Sequence, residues 1–197
     1  MVKPGSVYSP HPGLAMVARS RENLLERTGM SLEHWVERLV QERPADRKAQ
    51  LAWLKEQGIT TNYAQWIVDE AAGDGPENYD PDALVEAQYA GKKEILRPVY
   101  ESLLKEGFAL GEDVKACPCV TFVPLYRKNV FAQIKPTTNT RIDLGLCLRG
   151  VEPTERLLST GGEAKGDRIT HRIPVSSEQE IDDEVRSWLR RAYAAAQ

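Results

Sequence analysis

Arg141-Ile142-Asp143-Leu144-Gly145-Leu146-Cys147-Leu148 alternates with a period of two: Ile142, Leu144, Leu146 and Leu148 fall on one side, Arg141, Asp143 and Cys147 on the other. Successive side chains of a strand point to opposite faces, so this stretch predicts a strand with one buried face. Working outward, Val120 to Tyr126 is apolar on both parities, as in a strand covered on both sides. Arg127-Lys128-Asn129 predicts a turn, Val130 to Lys135 a second strand and Pro136-Thr137-Thr138-Asn139-Thr140 a loop. Connections this short join antiparallel neighbours. Beyond a glycine-rich stretch, Arg168 to Pro174 predicts a fourth strand.

On either side of these strands the period lengthens. Leu32, Trp35, Val36, Leu39 and Val40 repeat at helical spacing, and so do Tyr63, Ala64, Ile67, Val68 and Ala71. Asp80-Pro81 marks a helix start. Ile95, Leu96, Val99, Leu103 and Leu104 predict a helix over Lys92–Glu106, which Pro98 must kink or shift. Ser177 and Glu180 form a capping-box pattern before Ile181, Val185, Trp188, Leu189 and Ala192. The turn formers from Gly73 to Asp80 read as a linker. The expected organisation is an extended tail (1–19), a helical domain (20–72), a linker (73–80) and an α+β domain (81–197). The expected fold class is α+β: a small N-terminal helical bundle, then an antiparallel four-stranded sheet with helices packed on one face.

Two stretches carry a resemblance. Thr28-Gly29-Met30-Ser31-Leu32-Glu33-His34-Trp35, with Ala52-Trp53-Leu54-Lys55 and Tyr63-Ala64, resembles a short bacterial helical domain of unknown function. Phe122 to Leu148, especially Arg127 to Ile134 and Asp143-Leu144-Gly145-Leu146, resembles a second uncharacterised bacterial domain, sometimes labelled a predicted transport protein. The resemblance supports the domain boundary and implies no particular activity.

Composition narrows the function. A formal charge of −3 over 197 residues is not that of a protein coating nucleic acid nonspecifically. No apolar run reaches the roughly 18 residues that span a bilayer, so no membrane partner is expected. Met1 to Gly13 lacks an apolar core of signal-peptide length, and Cys117, Cys119 and Cys147 are an odd number. These features point to reduced thiols and a cytoplasmic location.

The first candidate surface is the polar side of the strands. Gln133 and Lys135 join Arg141 and Asp143 if the neighbouring strands pair in register, and Arg172 shares a parity with Arg168 and Thr170. These five residues, Gln133, Lys135, Arg141, Asp143 and Arg172, are the expected ligand-binding set. A basic, partly aromatic sheet face suits a small phosphorylated ligand or nucleic acid, although a solvated sheet face gives the same pattern. Cys117, Cys119, Cys147 and His171 are zinc-ligand types, but one residue between two cysteines is tighter than the usual ligand loop. No metal and no cofactor is expected. Gly161-Gly162-Glu163-Ala164-Lys165-Gly166 lacks the ending of a phosphate-binding P-loop and reads as a flexible loop.

The leading expectation is a non-catalytic binding or adaptor protein, the sheet domain holding the ligand and the helical domain docking. One alternative is an enzyme of unrecognised type, using a cleft between sheet and helices with Cys147, His171, Asp143 and Arg141. Another is self-association into a homo-oligomer through exposed aromatics.

Overall fold

The structure, a computed structural model, describes residues 5–10, 14–42, 44–73, 75 and 79–196. The chain divides into two compact units, Pro10–Asp80 and Pro81–Gln197, with the segment that ends at Ser9 belonging to the second. Four residues of the expected linker, Asp74, Pro76, Glu77 and Asn78, lie outside the described residues.

The first unit holds helices α1 (Leu14–Thr28), α2 (Leu32–Glu42), α3 (Arg47–Glu56) and α4 (Thr61–Ala71). The expected extended tail to residue 19 is corrected: the chain is helical from Leu14, where Leu-Ala-Met-Val-Ala are mostly strong helix formers with no glycine or proline among them. Asp46 caps α3 by accepting from the Ala49 N–H at 2.8 Å. Gly58 ends that helix at φ +82°, which lets the Ile59 N–H reach back to the Leu54 carbonyl. Leu24, Leu32, Trp35, Leu39, Leu54, Ile59, Ala64, Ile67 and Val68 form the core. The Trp35 indole N–H is satisfied at 3.0 Å by the Thr28 hydroxyl.

The second unit opens with α5 (Pro81–Gln88), a 3₁₀ turn (Gly91–Leu96) and α6 (Arg97–Phe108). Pro98 sits in the first turn of α6, so it shifts the helix start and does not kink it. The strands are β1 (Lys115–Ala116), β2 (Val123–Tyr126), β3 (Val130–Pro136), β4 (Ile142–Leu146), β5 (Leu158–Ser159) and β6 (His171–Val175). They form one sheet of six strands, not four, in the order β1-β2-β3-β4-β6-β5, with antiparallel pairing throughout. The extra strands are two-residue edges. The first predicted strand is shorter than expected because the Cys119 N–H bonds the Phe122 carbonyl at 2.9 Å, turning the chain before β2. The last helix, α7 (Asp183–Ala195), is capped by Asp182, which accepts from the Val185 N–H at 3.1 Å. Ser177 and Glu180 belong to a separate 3₁₀ turn.

Ala132, Ile134, Ile142, Leu144, Leu146, Ile173 and Val175 point into a core completed by α6 and α7. The N-terminal segment joins that core. Tyr8 is buried with its hydroxyl 2.8 Å from that of Tyr100, and the Ser9 N–H donates to the Ala116 carbonyl at 2.9 Å. The helical unit is therefore an excursion of the chain between two parts of the second unit. No helix of the described residues is long and apolar enough to cross a membrane.

Candidate functional site

The strand register brings together most of the expected set. Lys135 lies opposite Asp143, and Asp143 opposite Pro174; Gln133 lies opposite Gly145, and Gly145 opposite Arg172. By alternation these residues occupy the sheet face turned away from the core. Asp143, 9% exposed, organises the face. Its Oδ2 takes Arg172 Nη1 at 2.9 Å and the Thr137 hydroxyl at 3.0 Å. Arg141 Nε approaches Oδ1 at 3.0 Å as an ion pair, off the line of a hydrogen bond, so both atoms lack a hydrogen-bond partner among the described residues. Two of the expected cations are thus engaged by one carboxylate, while Lys135 remains exposed.

The outer face is not flat. A Cβ on Gly145 would lie 2.7 Å from Gln133 Cγ and 2.8 Å from Ile169 Cγ2. The missing side chain lets Gln133 lie across the strand and lets the segment before β6 settle onto the sheet. That segment, Thr160 to Ile169, is tied down. The Thr160 hydroxyl donates to the Ile169 carbonyl at 3.0 Å, the Asp167 N–H reaches the Gly162 carbonyl at 2.8 Å, and Arg149 donates to the Asp167 carbonyl at 3.1 Å. The glycine-rich run expected as a flexible loop is therefore a braced wall.

Between this wall and the sheet lies a cleft of about 500 Å³. Pro124, Tyr126, Val130 and Gln133 contribute from the strands, Cys119 and Phe122 from the turn before β2, and Thr160, Asp167, Arg168 and Ile169 from the wall. A bulge makes this possible. Tyr126 pairs with Val130 and Leu125 with Ala132, so Phe131 is extra. Val130 stays in the cleft, whereas Phe131 turns into the core, its ring 5.6 Å from that of Tyr193. Arg168 is exposed, and it forms no hydrogen bond or ion pair among the described residues; the Gln133 amide likewise makes no hydrogen bond there. Burial raises the Tyr126 hydroxyl pKa, with Cys117 and Cys119 adding to the rise and Arg168 opposing it, so the phenol stays protonated.

A second cleft, of about 510 Å³, lies beyond the Cys119–Phe122 turn, with Lys93, Lys135, Thr137 and Asn139 among its residues. Lys93 Nζ donates to the Pro136 carbonyl at 2.7 Å. Gln88 also lines this cleft. Its Nε2 donates to the Cys119 carbonyl at 2.6 Å, and its Oε1 is buried without a partner among the described residues.

All of this geometry lies in residues 85–196, the span matched by the sequence profile described as domain of unknown function DUF5655. The chain belongs to this family. No curated protein and no solved structure matches it.

The residues suspected for catalysis in the DUF5655 domain are split. His171 pairs in register with Leu146, is buried, and shares a 2.9 Å hydrogen bond with the Thr170 hydroxyl. Asp143 and Arg141 meet on the outer face. Burial pushes the Cys117 thiol up to about 11 and raises that of Cys119, which keeps both protonated at neutral pH. No group of three or more His, Cys, Asp or Glu side chains is placed to hold a metal ion among the described residues. In the helical unit, Trp35 is buried, while Trp53 and Trp66 are half-buried against the core.

Sequence reasoning placed Arg168 on the candidate face by parity but missed Tyr126 and Phe122, which line the same cleft as Gln133. Gly145 was the available signal: a glycine inside a clean alternation marks close approach of another group.

Proposed function

We propose that the DUF5655 domain is a binding module that holds a phosphate-bearing ligand on the outer face of its sheet. The observation that carries this reading is the cleft between that face and the braced Thr160–Ile169 wall, with Arg168, which is unpaired among the described residues, on its lining. Ligand sites are typically concave, mostly apolar and furnished with a few convergent polar groups. Lys135, at the second cleft, adds positive charge to the same face. The Arg141–Asp143–Arg172 group acts in this reading as a brace across the strands, with a net positive charge. Three free thiols suit a reducing compartment such as the cytoplasm. The helical unit then serves as the docking part of an adaptor.

The test is thermal-shift screening of the full chain against phosphorylated metabolites, nucleotides and short oligonucleotides. At least one class stabilises the protein, and Arg168→Ala and Lys135→Ala reduce the effect. No stabilisation by any class, or a stabilisation that both variants leave intact, defeats the reading.

A further inference from the structure

Resting on that reading, we infer that the Tyr126–Arg168 cleft recognises a nucleotide unit: a planar heteroaromatic base joined through a sugar to a phosphate. The lining is divided in the same way as such a ligand. Tyr126 and Phe122 offer aromatic surface, and base stacking on an aromatic side chain is sequence-tolerant and favourable. Gln133 presents an amide with no partner among the described residues. An amide supplies a donor and an acceptor side by side, the pattern that pairs with the edge of a base. Its Cγ lies close over Gly145, where a Cβ would stand only 2.7 Å away, so the side chain lies across the strand toward the cleft.

The charges favour a nucleotide over a bare phosphate. Arg168 and Asp167 both line the cleft but form no ion pair with each other among the described residues. A bare phosphate can use the guanidinium but leaves the carboxylate without a donor. A nucleotide separates the two functions: the phosphate takes Arg168, and a sugar hydroxyl donates to Asp167. The Thr160 hydroxyl, donating to the Ile169 carbonyl and accepting from the Gly162 N–H at 3.1 Å, keeps one lone pair for a further donor. A volume of about 500 Å³ lies within the range of small-molecule sites.

The experiment is isothermal titration of the full chain with the four common nucleoside 5′-monophosphates, their parent nucleosides, ribose 5-phosphate and a tetranucleotide. At least one monophosphate binds, and its nucleoside and ribose 5-phosphate each bind about tenfold more weakly or worse. Arg168→Gln weakens the monophosphate about tenfold and leaves the nucleoside unchanged. Gln133→Met keeps the packing on Gly145 and flattens the preference among bases. A tetranucleotide that binds more tightly, and still depends on Gln133 and Arg168, supports the inference and assigns the unit to a strand. Tetranucleotide binding that ignores both variants overturns it. If ribose 5-phosphate binds as well as every nucleotide and Gln133→Met changes nothing, the base is not held; the nucleotide inference falls while anion binding stands. If neither nucleotides, ribose 5-phosphate nor the tetranucleotide binds, the inference falls, and failure of the phosphorylated-metabolite screen is what would remove the broader reading.

Discussion

Gly145→Ala tests the construction of the cleft without touching a charged group. The added Cβ would stand 2.7 Å from Gln133 Cγ and 2.8 Å from Ile169 Cγ2. Unstrained carbon contacts lie at about 3.5–4.0 Å, so both neighbours must retreat by close to an ångström. Gln133 can swing away into the cleft. Ile169 is β-branched and sits on a segment held by the Thr160, Asp167 and Arg149 hydrogen bonds, so it gives less easily. Overpacking of this kind costs about 1–3 kcal/mol, and replacing a strand glycine by alanine returns about 0.5–1 kcal/mol. The difference spans about 0–2.5 kcal/mol, centred at about 1.3 kcal/mol, which at a urea m-value of about 2 kcal/mol/M lowers the midpoint by about 0.6 M. Urea titration followed by circular dichroism reads the loss, and amide exchange should quicken through residues 161–169. Ile169→Ala removes the stiffer clash, so it costs less in the Gly145→Ala background than in the wild type. Unchanged stability together with unchanged exchange in the wall would refute the close approach.

Tyr8→Phe leaves the buried Tyr100 hydroxyl without its partner and should cost about 1–3 kcal/mol by urea titration, whereas Tyr8→Phe with Tyr100→Phe recovers part of the loss. Burial raises the pKa of Tyr8, Tyr89 and Tyr100 above the unfolded value of about 10. The stability these three contribute is complete below that value and is lost as pH rises above it toward their folded pKa, so the urea midpoint of this unit should fall from about pH 10 upward; a midpoint that stays level from about pH 10 to about pH 11.5 would contradict the burial. Cys117 and Cys119 should alkylate slowly at pH 7.5 in the native protein and fast after denaturation, as read by mass spectrometry; rapid native labelling would count against their raised pKa. Asp143→Ala removes the shared partner of Arg141, Arg172 and Thr137, and should destabilise by about 1–3 kcal/mol in the same titration.

The sheet was legible because a two-residue period survives in any strand with one buried face, and Ile142, Leu144 and Leu146 display it. β1 and β5 were not legible, since two residues cannot show a period. Val120 to Phe122 misled because an apolar run on both parities is also what a turn lined by cleft residues looks like; Val120 is 75% exposed. Tyr8 was hidden in a proline- and glycine-rich stretch, and its place depends on Tyr100, far away in sequence. The outer-face set followed from parity alone, so Gln133, Lys135, Asp143 and Arg172 were found together. Engagement of the two arginines by Asp143, and the wall over Gly145, arise from tertiary contacts that no local pattern encodes.

The central proposal is that ligand binds in the outer-face cleft. The most direct measurement is a ¹H–¹⁵N spectrum of the full chain, titrated with whichever phosphate-bearing compound stabilises it most. Shifts concentrated on Tyr126, Gln133, Thr160 and Arg168, with the helical unit silent, are the predicted result. Saturable shifts that spare these residues and fall on the helical unit, or on the core-side residues of α6 and α7, would contradict it.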